Sequence, residues 1–208
     1  MEKDLDKNDW LKAARLALLR GGVDAVRVEP LARDLHVTKG SFYWHFKGRD
    51  ELLDLLLCEW ENEMAEMISG LNPGEPARET LLTLLRRLMQ RAQLSEAGDV
   101  PSDAAIFAWA SVSPSVAERV NQAEKERIKL LTRISDQPGL MELFYLAWLG
   151  FVARGQRVPE SRKSFLEIAR LMLSLLEPQK PKSNRAESAA KKRSATTAAQ
   201  ARRRIRRL

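Results

Sequence analysis

Between Thr38 and Phe46 the chain reads TKGSFYWHF, a stretch rich in groups that bind other molecules. Lys39 offers an ammonium that meets guanine acceptors or phosphate oxygens, and the hydroxyls of Ser41 and Tyr43 bond bases or phosphates. Gly40 lets another backbone come close. Phe42 and Phe46 stand at i and i+4, so a helix through these residues turns both inward. Lys39, Gly40, Ser41, Tyr43, Trp44, His45 and Lys47 are left toward the outside. Aromatic residues make up only 6% of the chain, and one of its two histidines falls here. A purely structural helix has no need of this mixture, whereas a nucleic-acid surface does.

Such a helix must be held by others, and the flanking sequence supplies them. Trp10, Ala13, Ala14, Ala17 and Leu18 recur at helical spacing until Gly21-Gly22 stops the pattern. Val28, Leu31, Ala32 and Leu35 give a second, shorter apolar face, and Thr38 stands where its hydroxyl would cap a third helix. Two short helices joined by Leu35-His36-Val37, the second with an outward polar-aromatic face, make a helix-turn-helix, whose second helix fits the DNA major groove. Arg49–Ser69 then reads as a longer helix with Leu52, Leu53, Leu56, Trp60 and Met64 on its buried side.

The rest of the chain continues in helices. Residues 77–97, 103–111 and 114–134 follow the break at Gly70–Pro76. Pro138 opens PGLMELFYLAWLGFVARG, apolar nearly all round, and Ser161–Leu176 carries a last apolar stripe. No alternating strand pattern and no repeat emerges. After Pro178 the composition shifts to Lys, Arg, Ala, Ser and Pro, as in an unfolded tail.

Charge is distributed unevenly along the 208 residues. The net charge is +7, yet Lys180–Leu208 holds eleven Lys/Arg against one acid, Glu187, so residues 1–179 carry −3. A nucleic-acid surface on the folded body must therefore come from local clustering rather than bulk charge. With 44% hydrophobic and 30% charged residues the chain buries a sizeable core. No apolar run approaches a membrane span and the opening MEKDLDKNDW lacks an apolar signal region, so a cytoplasmic protein is expected. The single cysteine, Cys58, excludes an internal disulfide and reads as a buried filler within an apolar helix. His45 has no cysteine or second histidine at ligand spacing, so no metal site is expected. No enzyme motif is present: G-x-S-x-G, a phosphate-binding glycine loop and a paired-carboxylate constellation are all missing. Neither catalytic residues nor a cofactor are expected.

The segment VRVEPLARDLHVTKGSFYWHFKGRDELL resembles the DNA-binding segment of TetR-type transcriptional regulators, whose pattern is roughly T-x-G-x-x-Y-x-H-F followed by a basic residue and ELL. The specific match runs from about Leu11 to Leu56, and FAWASVSPSVAERV is similar to the family's mid-domain turn. The resemblance implies an all-α fold. Its parts would be a helix-turn-helix domain at 1–54, a helical effector-binding and dimerisation domain at 55–178, and a basic tail at 179–208. It further implies that Lys39, Gly40, Ser41 and Tyr43 meet base edges or the adjacent backbone, while Thr38, Trp44, His45 and Arg49 lie on phosphates. Two departures stand out. His36 occupies a turn position that usually holds glycine. Val28 and Glu29 open the second helix where a capping threonine and a polar base reader are common, so Arg27 is the better phosphate contact there.

The expected function is a sequence-specific, ligand-responsive regulator, a repressor, that binds a palindromic operator in double-stranded DNA as a homodimer. The helix Leu140–Arg154 and the stripe Ser161–Leu176 would form the two-fold interface. An unknown small molecule would sit among Trp60, Met64, Met89, Phe107, Trp109, Phe144 and Trp148, oriented by Gln90, Gln93 or Arg154. The alternative is an architectural, nonspecific DNA-binding protein that works through its basic tail.

Overall fold

In the computed structural model, residues 5–72 and 74–155 are described, together with 167, 169–171, 173 and 174. Eight α-helices and no strand occur among them: α1 (Lys7–Gly21), α2 (Val28–Asp34), α3 (Lys39–His45), α4 (Arg49–Ser69), α5 (Ala77–Glu96), α6 (Asp103–Ala110), α7 (Pro114–Ile134) and α8 (Pro138–Gly155). A 3-10 turn, Val23–Ala25, links α1 to α2. These boundaries follow the apolar periodicity of the sequence closely, and several fall at residues that favour a start or a stop, such as Asp6, Gly22 and Pro114. Most of the stripe Ser161–Leu176, and all of the tail 179–208, lie outside the described residues.

The first helix begins at a reciprocal cap. Asp6 accepts from the Asp9 N–H at 2.9 Å, and Asp9 accepts from the Asp6 N–H at 3.1 Å. It ends at Gly21, and Gly22 takes φ 69°, a left-handed conformation that glycine adopts without strain. Between these ends Trp10, Leu11, Ala14 and Leu18 are buried. The start of α5 is capped from elsewhere in the chain, its first N–H bonding the Asp136 carboxylate at 3.0 Å. Pro114 opens α7 at a position where its missing N–H costs nothing.

Around α3 the core is aromatic. The Phe42 ring meets Trp10 edge-on at 5.2 Å and stacks on Phe46 at 4.9 Å. Leu31, Leu52 and Leu56, all buried, belong to the same continuous core. Edge-on and offset aromatic pairs contribute about 0.5–1.5 kcal/mol each beyond the area they bury. That interior fixes the angle at which α3 leaves the body.

The larger helical part, α4–α8, closes over Trp60, Met64, Leu81, Leu84, Ile106 and Met141, all nearly inaccessible. On α8 the expected all-round cover is incomplete. Met141, Phe144, Tyr145, Trp148 and Val152 are buried, but Leu143 and Leu146 are 51% and 52% exposed. One face of α8 thus keeps large apolar side chains in contact with solvent.

Candidate nucleic-acid interface

The exposed face of α3, the candidate DNA surface, is assembled by three decisions of the local sequence. First, α2 is terminated by a turn at His36, which has φ 59° and is the one non-glycine with positive φ among the described residues. The N–H groups of His36 and Val37 bond the carbonyls of Arg33 and Ala32 at 3.1 and 2.9 Å, a doubly bonded helix stop. Second, Thr38 is extended and precedes α3, but its side chain makes no capping bond to the helix. The expected capping bond is therefore absent, and the exposed Thr38 hydroxyl does not serve the helix end. Third, Phe42 and Phe46 turn inward, which puts Lys39, Gly40, Tyr43 and Trp44 on the opposite side of the same two turns.

That side is open. Trp44 is 89% exposed and Tyr43 is 53% exposed, large apolar-bodied groups held in water on a helix only two turns long. Gly40 is exposed and has ordinary backbone angles, so it serves close approach and not an unusual turn. Ser41 and His45 are half-buried at the margins, while Lys47 and Arg27 are exposed beyond the two ends.

Lys39 is not a free cation. Its Nζ donates to the Glu29 carboxylate across the α2–α3 angle. The bond and the attraction of the ammonium hold the Glu29 carboxyl below its ordinary range, and the carboxylate in turn raises Lys39. Both groups are at the surface, so the pair orients Lys39 more than it stabilises the fold. By its type and position alone Glu29 shows only an acid where a polar base reader is common. The i to i+10 relation between the two helices of the motif was the signal that could have paired it with Lys39.

Arg49, expected on a phosphate, also bonds within the fold. Its Nε donates to the Val26 carbonyl at 2.6 Å and its Nη2 to the Val23 carbonyl at 2.7 Å. The half-buried guanidinium thereby ties the start of α4 to the α1–α2 connection with two of its five donors.

The residues expected to line an effector cavity do not converge. Trp60, Met64 and Phe144 are buried core, and Phe107 meets the Trp60 ring edge-on at 5.9 Å. Met89 is 50% exposed on the outer face of α5. Trp148 borders a cavity of about 670 Å³ with Leu18, Leu88, Arg91, Asp103, Ala105 and Val152 among its walls. Trp109 borders a separate, open cleft of about 660 Å³ with Leu53, Leu57, Asp54 and Arg119. Gln90, Gln93 and Arg154 are all exposed. The polar groups inside are instead Arg15, Thr80, Arg91, Asp103 and Arg127. Asp103 accepts from the Trp60 indole at 2.7 Å and lies 3.2 Å from Arg91, and the Arg127 guanidinium rests 4.0 Å over the Trp60 ring. Burial pushes the Tyr145 phenol up to about 12, against the opposing pull of Arg127. The sequence does carry a signal for these arginines. Arg91 falls three residues after Leu88 on the Leu81–Leu84–Leu88 stripe, and Arg127 stands between Val120 and Leu131 on that of α7.

A short helix presenting exposed polar and aromatic side chains, seated on an aromatic core by its inner face, defines a helix-turn-helix protein. Residues 11–56 match the model for bacterial regulatory proteins of the tetR family. Over this segment the chain is similar to the DNA-binding part of that family. The fold is similar to the crystal structure of a transcriptional regulator from Rhodococcus sp. Rha1, with a TM-score of 0.60 and 19% identity over 82% of this chain and 96% of that one. No curated protein matches the chain. Among the described residues no helix is long and apolar enough to cross a membrane, and no cluster of His, Cys, Asp and Glu is arranged to hold a metal.

Proposed function

We infer that the chain is a ligand-responsive repressor that reads a pseudo-palindromic operator as a homodimer. The observation that carries the DNA half is the exposed face of α3. Lys39, Gly40, Tyr43 and Trp44 share one side of a helix whose other side is locked by Phe42 and Phe46. A helix of this kind enters the major groove with its first turn toward the bases. Lys39 and Tyr43 are then the base readers, while Trp44 donates its indole N–H to the backbone. Arg27, Thr38 and Lys47 frame the face and supply phosphate contacts, with His45 and Ser41 at its edge.

The dimer half rests on α8. Leu143 and Leu146, on successive turns, are half in water, and a second copy would cover them. Two reading helices related by a two-fold axis require half-sites about one helical turn apart or a multiple of it.

Selection from a random duplex pool, followed by footprinting, tests the reading. The expected result is one enriched inverted repeat protected over both half-sites, with a light-scattering mass twice the 23.6 kDa of one chain. Uniform coating of any duplex would transfer the protein to the architectural class, with the basic tail as its main contact. A monomeric mass on an intact operator would remove the two-fold arrangement alone.

A further inference from the structure

We propose that the cavity between α1, α5, α6 and α8 is the effector site, that it takes a largely apolar, uncharged molecule with one hydrogen-bond acceptor, and that its occupancy reaches α1 through residues 98–101. The proposal rests on reading the chain as a regulator and deepens it by naming the ligand chemistry and the route.

The walls set the ligand class. Leu18 of α1, Leu88 of α5, Ala105 of α6 and Val152 of α8 give an apolar lining, and about 670 Å³ suits a small organic molecule. Three charged residues stand in this wall: Glu96, exposed, and Arg91 and Asp103, each more than nine-tenths buried. The charges of Arg91 and Asp103 answer one another at 3.2 Å, so a charged ligand in the buried part of the cavity would be desolvated without a counter-charge waiting for it. One donor of Arg91, however, is left over. A guanidinium carries five N–H groups. In Arg91 one Nη2 hydrogen goes to the Pro101 carbonyl at 2.7 Å, Nη2 also lies 3.6 Å from the Glu63 carboxylate, beyond hydrogen-bond distance, Nη1 faces Asp103, and Nε has no acceptor. The Asp103 oxygen that faces Arg91 already accepts from the Trp60 indole. A neutral carbonyl brought into the cavity supplies what this guanidinium lacks once the side chain turns toward it.

That turn is felt outside the cavity because Arg91 holds the α5–α6 connection from within. The same connection is held from α1. Arg15, 6% exposed, donates from Nε to the Gly98 carbonyl at 2.7 Å and from Nη1 to Glu59 at 2.8 Å. Lys12 reaches Asp99 at 2.6 Å. Gly98, at φ 75°, lies so close to Leu16 that a Cβ there would sit 2.6 Å from its Cγ. Residues 98–101 are thus clasped by Arg91 at one end and by Arg15, Leu16 and Lys12 at the other. The helix that carries this second grip also carries Trp10, whose ring seats Phe42 of α3. A ligand that draws Arg91 from Pro101 changes what α1 is fastened to, and α1 positions the reading face. Such a ligand shifts the DNA-competent population only by its preference for one arrangement of this clasp.

Three probes of similar shape separate the chemistry: 2-acetylnaphthalene, 2-isopropylnaphthalene and 2-naphthoate, titrated calorimetrically into the full chain without DNA. The ketone is expected to bind about tenfold more tightly than the hydrocarbon, the worth of one satisfied buried donor, and the carboxylate no better than the ketone. Ala92→Phe, which fills the cavity from α5, should abolish ketone binding while the melting temperature holds. With the selected operator, the ketone should change DNA affinity about fivefold or more. Arg15→Lys keeps a cation beside Glu59 but loses the donor to Gly98. It should bind the ketone as before and lose most of that change. Lys12→Ala, at the surface, should show a smaller loss in the same direction and serves if Arg15→Lys does not fold. Equal binding of ketone and hydrocarbon overturns the ligand class, and ketone binding that survives Ala92→Phe overturns the location. Full coupling in both α1 variants overturns the route. Failure to enrich any operator strikes the regulator reading instead, since the three titrations need no DNA.

Discussion

The α1–α3 head and the α4–α8 body handle charge in opposite ways. Around Phe42 the head buries Trp10, Leu31 and Phe46, and it leaves Arg27, Lys39 and Lys47 in water. The body buries Arg91, Asp103 and Arg127 beside Trp60, and half-buries Glu63 among them. Arg15 is the head's exception, and its bonds run to Glu59 of α4 and Gly98 rather than toward α3. Apolar packing has one best arrangement and loses stability steeply when disturbed. A buried polar cluster with unmet groups, here Arg91 Nε and Glu63 Oε2, is costly until a partner arrives, so it is the part that a ligand or a proton can rearrange. On the function proposed above, the contrast places rigidity in the reading face and responsiveness in the body.

The largest effect expected from this division is Phe42→Ala. It removes the ring that Trp10 and Phe46 enclose, and about 3–5 kcal/mol of stability should go with it, by urea unfolding followed through tryptophan fluorescence. A loss below about 1 kcal/mol would show that the head is not held by this cluster. Next come Tyr43→Ala and Lys39→Ala, each expected to weaken operator binding by about 1–3 kcal/mol with an unchanged unfolding midpoint. Glu29→Gln sharpens the same point. It frees Lys39 and removes a negative charge beside phosphate, so gel shifts should show tighter binding to operator and random duplex alike and a narrower gap between them. Unchanged discrimination would mean that Glu29 does not orient Lys39.

In the body the corresponding probe is the proton. Burial pushes the Glu63 carboxyl up to about 7, with Glu59 and Asp103 adding to the rise and Arg91 and Arg15 opposing it. The folded value stands above the ordinary 4.5, so between pH 4.5 and 7 the folded chain keeps a proton that the unfolded chain has released. Stability on this account falls as pH rises through that window and is level above it. Glu63→Gln should flatten the slope and, at pH 8, stabilise the protein by on the order of 1–2 kcal/mol, since a buried charge is gone. An unaltered pH profile in chemical denaturation would remove Glu63 from the polar cluster's account.

The same contrast explains what the sequence disclosed. Helix bounds, the inward Phe42 and Phe46 and the left-handed turn at His36 follow from spacing and backbone preference, which are local properties. The role of Arg49 was not visible, because the carbonyls it bonds belong to Val23 and Val26, more than twenty residues away. Most of the aromatics expected around a cavity are packed in the core, because large apolar side chains fill a core as readily as they line a hole. Trp60 and Phe144 fill it, and only Trp148 of the expected group borders the space beside Arg91. Charged residues standing on an apolar stripe, Arg91 and Arg127, were the better guide to the interior.

The smallest expected effect tests whether the head has any weakness apart from packing. His36 holds φ 59° at the stop of α2, with its own N–H and that of Val37 closing the last turn onto Arg33 and Ala32. A residue with a Cβ in that conformation is strained by about 1–2 kcal/mol, somewhat less for histidine than for most. Glycine relieves the strain but loosens the unfolded chain, which returns about 0.5–1 kcal/mol of the gain. His36→Gly should therefore stabilise by a few tenths of a kcal/mol up to about 1, and His36→Val, branched at Cβ, should destabilise by about 1–2 kcal/mol. Neither change touches the exposed side of α3, so operator affinity of the folded variants should be unaltered. If glycine instead cost stability, the histidine side chain itself would be holding the turn. The head would then depend on a polar group as the body does, and the division between a rigid reader and a responsive interior would lose its simplest support.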